Sequence, residues 1–194
     1  MASSIFVRRI QGEKKLLEKN ASDWGDAYFE EADPRTWYFI LVGSIDTPFH
    51  NGRFLGKIML PLEYPYKSPD FMFLTPSGRF QINHKICLSN SGYHPESGSP
   101  AWNISSILQG MLSIMNDPKE KGIAHTHESI GNQKNYARTS HAYNMANHKN
   151  IYLKFDRFVT DEGIMIEKPI VPEKKKKKSK TSKTSKTKFK KIDV

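Results

Sequence analysis

Cysteine is almost missing from this sequence: Cys87 is the only one in 194 residues. A single thiol excludes an internal disulfide framework and Cys-rich zinc sites, and it fits a reducing compartment, the cytosol or nucleus. Long hydrophobic runs are missing as well. No stretch approaches the roughly 18 to 20 apolar residues that a membrane span requires. The apolar part of MASSIFVRRIQGEKK is too short for a signal peptide. The chain therefore reads as soluble, with no transmembrane segment. The body also lacks net charge. The formal +10 suggests a nucleic-acid binder until it is located. Residues 173–194 hold eleven Lys against Glu173 and Asp193, which leaves 19 basic and 18 acidic side chains in residues 1–172. The high pI describes the tail, and the near-neutral body shows no module for reading bases.

What is present suffices for one core: 37% of residues are hydrophobic and 11% aromatic. Ser3 and Ser4 offer an N-cap to a helix with Phe6, Ile10 and Leu17 on one side and Arg8, Arg9, Lys14, Lys15 and Lys19 on the others. That basic face is a solvated surface or a docking surface for an acidic partner. Residues 27–31 and 36–45 are rich in aromatic and β-branched residues, bounded by Asp33-Pro34 and Gly43, and read as strands. Turns follow at Asp46-Thr47-Pro48 and Asn51-Gly52. Phe54, Ile58 and Leu60 then alternate in a third strand. Pro61, Pro65 and Pro69 forbid regular pairing, and a short fourth strand covers residues 71–74.

Further on, Asn103 can cap a helix in which Ile104, Ile107, Leu108, Met111, Leu112 and Met115 keep helical spacing. Asn116-Asp117-Pro118 ends it. Residues 133–158 carry a second, weaker helical pattern through Tyr136, Ala137, Tyr143, Ala146, Ile151 and Phe155. The segment KKKKKSKTSKTSKTKFKK has almost no apolar content and is expected to be disordered. Helix, four consecutive strands, then helices indicates an α+β fold built on an antiparallel meander. The core is expected over residues 1–160, followed by a 161–194 extension whose Lys-rich part begins near 173.

Residues 74–102 form a long connection that contains Cys87. Connections of this length are usually functional or disordered. Phe80, Ile82, Ile86, Leu88, Tyr93 and Trp102 argue for a packed loop holding a thiol. His125 and His127 have no partner pattern and read as surface residues. Three ligands, His84, Cys87 and His94, without a fixed second shell do not make a metal site.

The ordered motifs GSIDTPFHNGRF, LPLEYPYKSPDFMFLTP, ICLS, SPAWNISSIL and Asn116-Asp117-Pro118 resemble the ubiquitin-conjugating enzyme family over roughly residues 5 to 155. Thr75-Pro76-x-Gly78-Arg79-Phe80, Cys87-Leu88-Ser89 and His94-Pro95 ahead of Pro100-Ala101-Trp102 are similar to its divergent branch. The usual members of that branch are tail-anchored at the endoplasmic reticulum, and no such anchor is seen here.

The resemblance implies that Cys87 takes the C-terminal glycine of ubiquitin from an activating enzyme as a thioester. A ligase would then direct transfer to lysine, with hydroxyl as a second acceptor class, on protein substrates. A thiol suits this work because it is the strongest nucleophile available at pH 7 and its thioester stays open to amines. Where most of the family has His-Pro-Asn, this chain has Thr75-Pro76-Ser77, and the interval to the cysteine is longer than usual. Ser77 is the candidate oxyanion donor, with Asn83 and Asn90 the other nearby amides. His94, on a lengthened loop with Glu96, is the candidate general base. The resemblance also carries over partner contacts: Pro65 and Tyr66 in the first loop, Ser99, Pro100 and Ala101 in the second, and Arg8 and Arg9 on the first helix. No cofactor or metal is implied, and no specific nucleic acid.

Three readings stay open: an active conjugating enzyme serving ER-associated degradation, a weak or inactive ubiquitin- or ligase-binding variant of the same fold, and a nucleic-acid binder using the lysine tail. The expected location is the cytoplasm, with the cytosolic face of the ER reached through partners and the nucleus through the tail.

Overall fold

The computed structural model describes residues 4–86 and 100–171. Its order is α1 (Ser4–Lys19), β1 (Gly25–Glu30), β2 (Asp33–Val42), β3 (Arg53–Met59), β4 (Asp70–Phe73), α2 (Ile104–Asn116), α3 (Ile130–Asn147) and α4 (Lys149–Tyr152). The strands form one antiparallel sheet in sequence order β1-β2-β3-β4. The α+β meander expected from the sequence is therefore the architecture found.

β2 explains why its sequence, TWYFILV, is apolar without a break. Alternate side chains point to opposite faces of a strand, and here both faces are covered. Trp37, Phe39 and Leu41 join Phe54, Ile58, Phe71 and Phe73 in the larger core with α1 and α2. Ile40 joins Leu55 and Leu74 in a second core closed by Tyr152, Phe155, Phe158 and Val159. Gly56 is paired with Phe39, and a side chain there would strike the Phe39 ring at 2.0 Å. Pro34, expected to bound the strand, lies inside β2. It is tolerated because pairing shifts between Phe29 and Glu30, a bulge that asks no ladder donor of it.

α2 follows its sequence closely. Asn103 accepts from the Ser106 amide while the Ser106 hydroxyl takes the Asn103 amide, a reciprocal cap. Ile104, Ile107, Leu108, Met111 and Met115 are buried, each contributing about 1.5–3 kcal/mol of transfer free energy. The second helical region divides, with α3 ending before His148 and α4 adding one short turn.

The buried face of α3 explains its weak pattern. Gln133, Ala137, Ser140 and Asn144 are the buried residues, a helical stripe that is mostly polar. These side chains are bonded rather than oily. Ser140 Oγ accepts the Arg53 amide at 2.8 Å and donates to Ala137 O at 2.7 Å. Asn144 Nδ2 donates to Arg53 O at 2.8 Å, and its Oδ1 accepts from Thr75 Oγ1 at 2.6 Å. Thr75 Oγ1 in turn accepts the Leu55 amide at 2.9 Å. The helix is thus keyed to β3 and to the start of the long connection by directional bonds.

Candidate functional site

Two fixed points bracket the residues around the cysteine. Upstream, the connection is stitched onto the sheet. The Leu74 amide donates to Leu55 O, the Asn83 amide to Phe73 O and the Ile86 amide to Phe71 O, at 2.9, 2.8 and 2.9 Å. The Ile86 side chain is fully buried, and Lys85 pairs with Asp70 at 2.7 Å. On its other side the connection pairs with residues 124–128: Gln81 N to Ala124 O, Thr126 N to Arg79 O and Glu128 N to Gly78 O. Gly78 takes a left-handed φ of +69°, where a side chain would be strained.

Arg79 fixes this layer to α2. Its buried guanidinium donates through Nη2 to the carbonyls of Ile114, Asp117 and Glu120, at 3.1, 3.0 and 2.8 Å. The first two are carbonyls of the last turn and cap of α2, where a cation suits the helix dipole, and the third lies in the turn that follows. Burial lowers the Arg79 pKa, against the opposing charges of Asp117 and Glu120. Phe80 stacks on Phe73 at 5.0 Å and meets the edge of His125. His125, expected at the surface, is partly buried in this packing, and its Nδ1 lies 3.1 Å from Arg79.

Ser77 is fully buried. Its oxygen accepts the amides of Arg79 and Phe80 at 3.2 and 3.3 Å, closing the turn that opens the connection. A hydroxyl placed this way serves the turn and presents no surface to an oxyanion. The donor role expected for Ser77 does not match this geometry. Asn83 is exposed in the left-handed region, φ 61°. His84 is exposed and donates from Nδ1 to Ile82 O at 2.9 Å. Cys87, Asn90, His94 and Ser99, like the Lys-rich tail, lie outside the described residues, so the roles expected for them stand as sequence expectations.

The downstream fixed point gathers most of the expected partner residues. Arg8, Arg9, Pro65 and Ala101 line one groove of about 450 Å³, together with Ile5, Gly12, Glu13, Leu16 and Asn103. Ala101 and Arg8 are exposed, and Tyr66 presents 62% of its surface. Pro65 is largely buried beneath them. Trp102, expected as an anchor of the loop, is 44% exposed, and Ile5, Val7 and Leu62 are further open apolar residues of these elements. The groove is walled by aliphatic side chains with Arg8 as its open cation.

Arg9 behaves differently from Arg8. Its Nε donates to Glu13 Oε1 at 2.7 Å, its Nη1 to Pro100 O at 2.8 Å and its Nη2 to Trp102 O. The guanidinium also lies over the Tyr64 ring, 5.4 Å from its centroid. Glu13 is only 2% exposed. Besides Arg9 it accepts the Tyr64 hydroxyl at 2.7 Å and the Ile104 amide at 2.9 Å. Ile104 is the first residue of α2, so this carboxylate sits at a helix N-terminus, where negative charge is favoured. Burial raises the Tyr64 pKa far above the ordinary phenol value, with Glu13 adding to the effect. For Arg9, burial works against the charge, but Tyr64 and Glu13 together outweigh it and the pKa rises.

This node was not foreseen in the sequence, although one signal pointed to it. Glu13 falls on the same helical stripe as Phe6, Ile10 and Leu17. A carboxylate on an apolar stripe, four residues from an arginine, calls for a buried partner set.

A family model described as "Ubiquitin-conjugating enzyme" matches residues 9–147. Probable ubiquitin-conjugating enzyme E2 33 of Arabidopsis thaliana is 40% identical over 144 residues, covering 74% of this chain and 59% of that protein. Ubiquitin-conjugating enzyme E2 6 of Schizosaccharomyces pombe is 34% identical over 160 residues, covering 82% and 70%. The chain thus spans between 35% and 70% of the length of such curated relatives. Among solved structures, a putative ubiquitin conjugating enzyme from Plasmodium yoelii aligns with a TM-score of 0.54 and 22% identity, over 79% of this chain and 92% of that one, a likeness of fold.

Proposed function

Because the chain belongs to the ubiquitin-conjugating enzyme family, we propose that it accepts the C-terminal glycine of ubiquitin as a thioester on Cys87 and passes it to an amine. The observation that carries this reading is the family match, whose range of residues 9–147 includes Cys87 and most of the residues that line the groove. In the transfer, the amine nitrogen attacks the thioester carbonyl carbon. The C–S bond breaks, the thiolate leaves, and the proton released by the amine passes to a base. His94 is the proposed base, since an imidazole titrates near neutrality.

The groove supports ligase docking. A proline-stiffened loop carrying an exposed Tyr66 loses little conformational freedom on binding, and Arg8 offers a cation at the rim. The activating enzyme would share α1, with Ser99, Pro100 and Ala101 forming the second loop contact. Residues 1–160 would be the conjugating core. Among the described residues no helix is long and apolar enough to cross a membrane. Work at the cytosolic face of the ER, including a part in ER-associated degradation, would come through partners, and nuclear entry through the Lys-rich tail.

One observation favours a second reading, a catalytically weak variant that chiefly binds ubiquitin or a ligase. Ser77 stands where the family has its amide donor, and it is buried as an acceptor. Loss of one oxyanion donor typically costs about 100- to 1000-fold in rate.

Incubation with activating enzyme, ATP and ubiquitin separates the two. An active enzyme forms an adduct cleaved by thiols, and Cys87→Ser gives a slower adduct that thiols leave intact. His94→Ala slows discharge without slowing loading. A folded protein that forms no adduct at Cys87 refutes the proposal, and equal discharge rates remove the base from it.

A further inference from the structure

A second groove, of about 560 Å³, runs between α3 and the turn that joins β2 to β3. His50 and Asn51 line it from the turn, Lys134, Arg138 and His141 from α3, and Met165 from the run after α4. Lys134, Arg138 and His141 stand at i, i+4 and i+7, which places them on one face of the helix. Lys134 and Arg138 are both exposed, and like charges at this spacing weaken a helix. Among the described residues, none that lines the groove carries a carboxylate, and neither cation forms an ion pair. Arg138 is steadied instead by Asn135, whose Oδ1 accepts from Nη2 at 2.8 Å.

A third cation backs the groove through Asn51. Arg53 is fully buried. It donates to the Asn51 carbonyl and Oδ1 at 2.9 and 3.1 Å, and to the carbonyls of Ile166 and Glu167 at 2.8 and 3.3 Å. Its Nε has no partner among the described residues. Burial lowers its pKa, with Tyr152 and Glu167 opposing. Glu167 is exposed and meets Arg53 through its backbone carbonyl, so the two charges are not joined as an ion pair. His141 Nδ1 lies 3.0 Å from the Tyr152 hydroxyl, which makes that ring a wall of the groove rather than an open donor. His50, across from α3, is exposed.

We propose that this groove binds a phosphate group, free or carried by a small monoester, with Arg138 and Lys134 as its charged donors and His50 as a third donor from the turn. A phosphate brings about 1.5 to 2 negative charges near neutral pH and several strong acceptor oxygens. That suits two cations one helical turn apart better than the single charge of a carboxylate does. The guanidinium fork meets two oxygens at once and the ammonium adds a point charge. The volume falls within the range of small-molecule sites, and Met165 offers apolar surface to an organic group. No residue of this groove takes part in the chemistry proposed for Cys87 or lines the groove at α1, so the two readings stand or fall separately.

The test is a titration of the full-length protein at constant ionic strength, followed residue by residue by proton–nitrogen correlation NMR, with inorganic phosphate and, separately, ethyl phosphate. The residue-level readout separates this groove from the Lys-rich tail, whose charge attracts anions without a fixed site. Amides of residues 47–51 and 134–142 are expected to shift together and to saturate, with a Kd of about 1 mM or below. Tighter binding of ethyl phosphate assigns the site to monoesters, and binding of inorganic phosphate at least as tight assigns it to phosphate itself. Arg138→Glu and Lys134→Glu are each expected to weaken binding at least about 10-fold, through loss of a charge-assisted bond. Should either reversal disturb the fold, Arg138→Gln is expected to weaken binding in the same direction. Lys121→Glu, an equal change of charge at an exposed position after α2, is expected to leave the Kd unchanged.

Shifts confined to the tail, or shifts that do not saturate, overturn the proposal. So does unchanged binding by folded Arg138→Glu and Lys134→Glu, or a loss in Lys121→Glu as large as theirs. Succinate bound as tightly as either phosphate would overturn the assignment to phosphate.

Discussion

Replacing Asn144 by leucine tests the claim that directional bonds, rather than apolar burial, hold α3 to the sheet. Asn144 has no exposed surface, and its amide makes two bonds, to Arg53 O and from Thr75 Oγ1. Leucine is close in shape, so the cavity contribution is small, while the Thr75 hydroxyl and the Arg53 carbonyl lose a partner. Each buried polar group left unsatisfied costs about 1–3 kcal/mol, so with two such groups Asn144→Leu is expected to cost about 2–6 kcal/mol. Thr75→Val strands the Leu55 amide and Asn144 Oδ1, for a similar cost. The double variant removes both ends of the Thr75–Asn144 bond, leaving only two of the four stranded groups. Its loss should fall short of the sum of the single losses by about 2–6 kcal/mol. Urea denaturation followed by circular dichroism measures all four proteins. Additive losses would refute the reasoning, and losses below about 0.5 kcal/mol would show that apolar contacts carry α3.

Other consequences can be measured separately. Arg79→Met removes the guanidinium from two carbonyls at the end of α2 and one in the turn after it. It should lower the thermal midpoint by several degrees, since bonds to a charged group contribute about 1.5–3 kcal/mol, and a midpoint within a degree of the natural protein contradicts the capping role. Burial, reinforced by the charge of Arg53, depresses the His141 pKa below 6.5. The unfolded chain then binds the proton more readily, so stability is full above pH 6.5 and is lost as pH falls through the folded value. His141→Gln should therefore flatten the pH dependence of unfolding free energy below neutrality, and an unchanged slope would assign that dependence to other groups.

The parts of this molecule that were legible in the sequence are those where burial alone sets the pattern. α2 needed no more than its i, i+3, i+4 stripe, its Asn103 cap and its Asn116-Asp117-Pro118 stop, because one apolar face meets one core. The four strands followed from aromatic and β-branched runs, although the unbroken run in β2 hid a second core behind the first. α3 was legible only in outline. Its inward face is Gln133, Ser140 and Asn144 around one alanine, and periodicity analysis counts apolar residues, so a bonded polar face reads as no face at all.

The same physics explains why the candidate site was half seen. Motifs could single out Cys87 and the loop residues as candidates, since they are strings of neighbouring residues. Arg9 and Glu13 act on residues more than ninety positions away, and only the fold brings those positions together. Arg53 and Arg79 belong to the same class, each a buried cation answered by carbonyls rather than by a paired acid. A charged residue on an apolar stripe is costly unless its donors and acceptors are met. Such residues therefore mark where distant segments are fastened, and in this chain two of them, Glu13 and Arg79, fasten the opposite ends of α2. One holds the helix start, where the chain returns from residues 87–99. The other ties the helix end to the strand-like run that leads into Ile86. The central helix is thereby pinned at its start by a charge from α1 and at its end by a charge from the run that leads into Ile86, so electrostatics as well as packing fasten the described residues on either side of 87–99.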